Sequence, residues 1–97
     1  MPVRIGCNVL FGPNAQVHTA MHPINYLERR KLVESAKAVT IGDDCWIGGN
    51  AVICPGVTTG SRTIIGAGSP VTKNIRNDVF AAGNPCRVIS KNINFDK

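Results

Sequence analysis

The sequence predicts an all-β solenoid, a parallel β-helix wound from six-residue repeats, and three observations carry that prediction. Branched apolar residues fall six apart at Ile41, Ile47 and Ile53, and resume in phase at Ile65 and Val71 after Thr59 interrupts them. Glycine follows at Gly42, Gly48, Gly60 and Gly66, with Cys54 the exception between them. A small or short apolar residue recurs four places after each start, at Cys45, Ala51, Val57, Thr63, Ser69 and Ile75. A period of six is neither the 3.6 of an amphipathic helix nor the 2 of a half-buried strand. It belongs to solenoids in which each short strand buries one branched residue. Such a prism performs no chemistry by itself, so function is expected where the period breaks.

Residues 3–17 form a first short run, with Ile5-Gly6, Phe11-Gly12 and Val17 in phase and Val9 and Ala15 in the second inward slot. From about residue 18 to 38 the period vanishes. This loop holds both histidines, the single tyrosine and the charged stretch Glu28-Arg29-Arg30-Lys31. Long loops in compact domains are usually functional or disordered. A short helical turn is expected within Tyr26 to Glu34. Residues 39–80 carry the longer run, in which Thr59 puts a hydroxyl into an inward slot, costing about 1–3 kcal/mol if it finds no partner. Beyond Asn77 the repeat fades into a cap over residues 77–97. There Val79-Phe80-Ala81 and Arg87-Val88-Ile89 are expected to pair around a Gly-Asn-Pro turn, and Lys91–Lys97 to be loose.

At 97 residues the chain supports a single domain, and a solenoid whose end coils lack neighbours buries little surface. Association through flat sheet faces is therefore expected. The formal charge is +5, from 11 basic and 6 acidic residues. No recognition helix, RNA-binding signature or zinc-finger spacing accompanies it, so a phosphate-bearing small molecule is expected rather than nucleic acid. Cys7, Cys45, Cys54 and Cys86 form no ligand-like cluster, so no metal site is expected. Cys7 and Cys45 read as packing thiols, which favours a reducing, cytoplasmic setting. No apolar run approaches the ~18–20 residues of a membrane span, and no secretory core follows Met1.

Residues Val3 to Ile89 resemble the hexapeptide-repeat O-acetyltransferases of the maltose, galactoside and nodulation-factor type. The segments that carry the likeness are Ile5-Gly6-Cys7-Asn8-Val9-Leu10-Phe11-Gly12-Pro13-Asn14, Thr19-Ala20-Met21-His22-Pro23 and Val39-Thr40-Ile41-Gly42-Asp43-Asp44-Cys45-Trp46-Ile47-Gly48-Gly49. Ile65-Gly66-Ala67-Gly68-Ser69-Pro70-Val71-Thr72-Lys73 and Ala82-Gly83-Asn84-Pro85-Cys86-Arg87-Val88-Ile89 complete it. Hexapeptides alone are weakly specific. The His-Pro loop, the Trp-Ile-Gly coil and the Gly-Asn-Pro-Cys-Arg ending, in that order, are strongly specific together. The resemblance implies a left-handed β-helix, an exception to right-handed crossovers. It also implies a homotrimer with acetyl-CoA between neighbouring subunits. Family members carry an N-terminal helical cap and early coils before this segment, so the chain is expected to correspond to the C-terminal portion and to lack the groups that hold the acceptor.

His22 aligns with the family's catalytic histidine, and its chemistry fits. Acetyl transfer from a thioester to a hydroxyl requires a base for the hydroxyl proton, and imidazole titrates near pH ~6.5. Pro23 stiffens the backbone beside it. His18 follows an inward position and should point outward, as a rim residue. Gly49 and Ala67 align with positions that touch acetyl-CoA, and a narrow pantetheine arm benefits from backbone without Cβ interference. Gly49 stands where some galactoside members have serine. Gly48 and Gly66 suit the arm and the coil corner equally. Thr72, Lys73 and Arg87 align with cofactor contacts, one hydroxyl and two cations suited to phosphate oxygens. Trp46 flanks the arm or is buried between subunits. The expected function is acetyl-CoA-dependent O-acetyl transfer to a sugar or similar hydroxyl in a ternary complex. The alternatives are a non-catalytic trimeric module that still holds CoA, and transfer to an amine.

Overall fold

The computed structural model describes residues 2–31 and 35–94. In chain order the strands are β1 (Val3–Ile5), β2 (Leu10–Phe11), β3 (Gln16–Val17) and β4 (Ala20–Met21), followed by helix α1 (Tyr26–Arg30). Then come β5 (Ser35–Ala36), β6 (Val39–Ile41), β7 (Trp46–Ile47), β8 (Val52–Ile53), β9 (Thr58–Thr59), β10 (Ile64–Ile65) and β11 (Pro70–Val71). The chain closes with β12 (Val79–Ala82) and β13 (Arg87–Lys91).

The strands assemble into three faces. β1-β6-β9 form the first, β2-β7-β10-β12-β13 the second and β3-β8-β11 the third. Pairing within the faces is parallel except for the antiparallel closing pair of β12 and β13. Register follows the repeat: Ile47 stacks on Ile65 and Ile53 on Val71, each eighteen positions on, three hexapeptides per coil. Ile5, Phe11 and Val17 instead stack on Ile41, Ile47 and Ile53, thirty-six positions on. The non-repeating segment is thus spliced between two coils without disturbing the stack.

The branched residues of the period form the core. Ile41, Ile47, Ile53, Ile65 and Val71 are buried, with Cys45, Ala51, Val57, Thr63 and Ser69 filling the second inward slots. Ile5 and Phe11 share the phase but remain exposed, because β1 and β2 are covered on one side only.

The corners follow a register of their own. Asn8, Asn14, Asp44, Asn50, Gly56, Arg62 and Gly68 all have φ between 56° and 80°. Among L residues only Asn and Asp visit this left-handed region readily, which accounts for most of these identities. A side-chain ladder ties one corner of successive coils together. The backbone N–H of Cys7 donates to Asp43 Oδ1 (2.8 Å), that of Asp43 to Ser61 Oγ (3.0 Å), and that of Ser61 to Asn77 Oδ1 (2.8 Å). Gly42 makes room for this ladder, since a Cβ there would lie 2.6 Å from Ser61 Oγ.

Three expectations need correction. Ile75 does not fill a small-residue slot. The last coil is two residues shorter, so Thr59 bridges to Ile75 sixteen positions on, and Ile75 becomes the inward residue of its own short crossing. Cys7 is not a packing thiol but an exposed corner residue, held by its backbone. The tail from Lys91 is not loose through Asn94. Lys91 pairs with Val79, the Ile93 N–H donates to Asp78 O, and Asn94 is tied into a polar cluster; residues 95–97 lie outside the described residues. The antiparallel pairing of β12 with β13 is as expected, with register Ala81↔Val88 and Ala82↔Arg87. The expected helical turn is present as α1, which ends at Arg30 with Lys31 as its C-cap; positions 32–34 of the expected stretch lie outside the described residues.

Candidate functional site

The segment between β3 and β6 is an arm. β4 and β5 pair antiparallel, with Ala20 opposite Ala36 and Met21 opposite Ser35, and hold it against its own root. His22 is the first residue past β4 and is exposed, while Pro23 is half-buried. Beyond Pro23 the chain turns into α1, capped by Asn25, whose Oδ1 accepts from the N–H groups of Leu27 (2.9 Å) and Glu28 (3.2 Å). This is the side-chain capping that makes Asn favourable at that position. The three basic residues that follow have different roles. Lys31 pairs with Glu28 at 3.3 Å, Arg30 lies 5.2 Å from the Tyr26 ring centre, and Arg29 turns back onto the loop. Its Nη1 donates to the carbonyls of Ile24 (2.6 Å) and Pro23 (3.3 Å). His18 points outward, its Nε2 2.8 Å from Gln16 Oε1.

Two clefts mark the outside of the coils, reached from opposite ends of β11. The larger, of about 650 Å³, runs along the second face and the corner that follows it. Its walls are Trp46, Ile64 and Phe80, and its floor is Gly12-Pro13, Gly48-Gly49 and Gly66-Ala67. Leu10, Trp46, Ile64 and Phe80 stand in register across β2, β7, β10 and β12, an apolar ladder facing outward. Leu10 and Trp46 remain 67% and 54% exposed. Sequence reasoning placed Trp46, Gly49 and Ala67 near one ligand arm, and they do line one groove. It missed Ile64 and Phe80. The available signal was an apolar residue immediately before an inward one, a position that should otherwise be polar. A Cβ at Gly48 would lie 2.6 Å from the backbone nitrogen of Ala67, so the close stack of coils already demands glycine there.

The smaller cleft, about 240 Å³, lies between residues 72–75 and residues 85–88. It brings together Thr72, Lys73 and Arg87, all exposed. Among the described residues neither cation has an ion-pair partner. Cys86 also lines this cleft, and burial pushes its thiol up from the ordinary value, away from the nucleophilic thiolate. His22 lines neither cleft.

The position of residues 85–88 depends on how the C-terminal segment is anchored. Arg62 donates Nε to Asp78 Oδ1 (2.7 Å) and Nη2 to Oδ2 (3.0 Å), and Asn94 Nδ2 donates to Asp78 Oδ1 and to the Arg62 carbonyl (3.0 Å each). Hydrogen bonds from Arg62 and then Asn94 hold the Asp78 carboxyl below its usual range, against the opposing effect of burial. The same pair raises Arg62. Among the described residues, no group of three or more His, Cys, Asp or Glu is placed to hold a metal ion, and no helix is long and apolar enough to cross a membrane.

Comparison with known proteins agrees with this architecture. Residues 38–73 match the family described as bacterial transferase hexapeptide (six repeats). The galactoside O-acetyltransferase of Escherichia coli is 46% identical over 98% of this chain and 47% of its own length. A solved galactoside acetyltransferase in complex with coenzyme A superposes with a TM-score of 0.90 at 47% identity, covering 93% of this chain and 45% of that one. A hexapeptide-repeat acetyltransferase of Vibrio cholerae with acetyl coenzyme A gives 0.91 at 40% identity, covering 93% and 49%. The chain spans about half the length of these relatives. On the strength of its repeat, its stacked three-faced coils and these likenesses, the chain belongs to the hexapeptide-repeat acetyltransferases of the galactoside type and has their left-handed parallel β-helix.

Proposed function

We propose that the chain carries the cofactor groove and the base of an acetyl-CoA-dependent O-acetyltransferase acting on a sugar or similar hydroxyl. The observation that carries this reading is the pair of clefts at the two ends of β11. One is apolar and floored by small residues that leave room for a narrow acyl-bearing arm, and the other is lined by Lys73, Arg87 and Thr72. A CoA thioester is a ligand with those two halves, an uncharged pantetheine and a phosphate-rich nucleotide. Two cations without an ion-pair partner among the described residues, and a hydroxyl, suit the phosphates. Relatives of similar fold are described as bound to coenzyme A and to acetyl coenzyme A, which supports the assignment.

His22 is the base in this reading. Its imidazole accepts the acceptor's proton as the hydroxyl oxygen attacks the thioester carbonyl, and returns it to the departing CoA thiolate when the tetrahedral adduct collapses. No acyl-enzyme is needed, and Cys86, kept protonated by burial, is poorly suited to form one. Because His22 lines neither cleft of its own chain, the reading requires a second copy to bring imidazole and thioester together. The outward ladder of Leu10, Trp46, Ile64 and Phe80 supplies an apolar surface for that contact, in a homotrimer. Cysteines in the thiol form suit a reducing, cytoplasmic setting.

Calorimetric titration with acetyl-CoA, followed by a thiol-release assay against a panel of sugars and amines, tests the proposal. Binding with transfer to a sugar hydroxyl is the expected result. Transfer to amines alone would change the acceptor class. Binding without transfer to any acceptor would leave a CoA-holding module and overturn the enzymatic reading.

A further inference from the structure

The arm that presents His22 is exposed, and a catalytic side chain on such a segment needs something to hold its backbone. Pro23 supplies no N–H, so its peptide can be tied down only through its carbonyl. The next residue, Ile24, is 96% exposed. Half-buried Pro23 has some packing to hold it, but Ile24 has next to none, so side-chain packing alone holds this stretch weakly. Arg29 adds a hold from the helix. One guanidinium nitrogen donates to the carbonyls of both Pro23 and Ile24, at 3.3 and 2.6 Å. Arg29 also leaves its backbone N–H to the Asn25 carbonyl at 3.1 Å. The Asn25 side chain caps the same turn, so hydrogen bonds tie residues 23–29 together immediately after His22.

The neighbouring cations are engaged differently. Arg30 lies over Tyr26 and Lys31 pairs with Glu28, contacts that touch only the helix itself. Arg29 alone of the three reaches back to the residues adjoining His22. A charged donor shared between two neutral carbonyls makes bonds stronger than neutral ones. Nη1 carries two N–H groups, one for each carbonyl, on a rigid planar guanidinium that loses less freedom per bond than lysine's flexible ammonium.

We propose that Arg29 is a positioning residue for His22, its guanidinium clamping the Pro23 and Ile24 carbonyls so that the imidazole is held in one orientation. The proposal rests on the reading of His22 as the base. It assigns Arg29 no contact with either substrate. Loss of the clamp lowers the chemical step and leaves cofactor binding alone, because a misplacement of about 1 Å can cost on the order of 10²-fold in rate.

The test is a cycle of Arg29→Ala, Arg29→Lys, His22→Ala and the double variant Arg29→Ala/His22→Ala, with two readouts. The first is kcat and the KM for acetyl-CoA. Arg29→Ala is expected to lower kcat at least tenfold with KM changed by less than about twofold, and Arg29→Lys to restore part of the loss. In the His22→Ala background the Arg29→Ala change is expected to have no further effect, since a residue acting only through the imidazole has nothing left to position. The second readout is the NMR signal of the labelled His22 ring in the full chain, expected as a single resonance that broadens or splits in Arg29→Ala and sharpens again in Arg29→Lys. Equal losses of kcat in both backgrounds, or an unchanged ring signal in Arg29→Ala, would overturn the proposal. Full turnover by His22→Ala would sink the base assignment instead, and the ring signal alone then decides whether Arg29 holds His22.

Discussion

Replacing Thr59 with valine should make the protein more stable, although it changes a residue at the centre of the stack. Thr59 is 1% exposed. It lies on the inward ladder between Ile41 of β6 and Ile75 of the short final coil. Its backbone is satisfied: its carbonyl accepts from the Gly42 N–H at 2.9 Å. Its hydroxyl has no partner among the described residues. Valine has the same branched shape and the same preference for strands, so the exchange removes an unpaired buried hydroxyl without opening a cavity. An unsatisfied buried hydroxyl costs roughly 1–3 kcal/mol, and some of that is recovered by local relaxation, which leaves an expected gain of about 1–2 kcal/mol. For a domain of this size that corresponds to a rise of roughly 4–16 °C in Tm. Thr63 provides the control. It is equally buried, but its hydroxyl donates to the Gly60 carbonyl at 3.2 Å and lies 3.2 Å from Cys45 Sγ. Thr63→Val should therefore lower stability by about 1 kcal/mol. Thermal unfolding followed by circular dichroism at a fixed protein concentration distinguishes the two, since association would otherwise move the midpoint. A fall in Tm for Thr59→Val, or a rise for Thr63→Val, would refute the account of the inward ladder.

Other predictions concern the anchor, the basic cleft and the shared site. Asp78 has a folded-state pKa below its unfolded value of roughly 3.9, so its stabilising contribution is complete above that value and is lost as pH falls through the lower, folded one. The stability gap between the native chain and Asp78→Asn should therefore shrink as urea denaturation is moved from about pH 6 to pH 3, and a gap independent of pH contradicts the pairing with Arg62. Lys73→Ala and Arg87→Ala should each weaken acetyl-CoA binding about ten- to a hundredfold, as charged hydrogen bonds of roughly 1.5–3 kcal/mol imply, with a smaller effect on a ligand lacking the nucleotide phosphates. Equal losses for both ligands in calorimetry would remove the phosphate contact. At acetyl-CoA concentrations well below saturation of Arg87→Ala, mixed oligomers of His22→Ala and Arg87→Ala protomers should turn over faster than either variant alone, because some clefts then combine a native base with a native groove. Absence of recovery counts against a site built by two copies.

Much of the coil was legible because a six-residue period admits few solutions. Ile41, Ile47, Ile53, Ile65 and Val71 had to face inward once the period was recognised, and they do. The last coil was misread at Ile75 because a two-residue contraction cannot be seen without knowing which residues pair. The corner register of Asn8, Asn14, Asp44 and Asn50 is present in the letters, but its signal lies in backbone conformation rather than in the hydrophobic period. Arg62 occupies the same left-handed corner with a residue that disfavours it, at a cost of roughly 1–2 kcal/mol, and its bidentate pair with Asp78 explains why arginine is tolerated there. For the site, Thr72, Lys73 and Arg87 converge although fourteen positions separate Lys73 from Arg87, a meeting that depends on the return of β13 along β12. His22 stood out through its motif, whereas the reach of Arg29 could not be foreseen, because it depends on the turn that the Asn25 cap creates.

Acetyl transfer by His22→Ala, measured on the same preparation whose acetyl-CoA affinity has been determined by calorimetry, addresses the central claim most directly. With the groove intact and the base removed, binding should match the native chain while transfer falls by ~10²-fold or more. Native turnover in that variant, or loss of binding together with turnover, would contradict a base that stands apart from the cofactor groove.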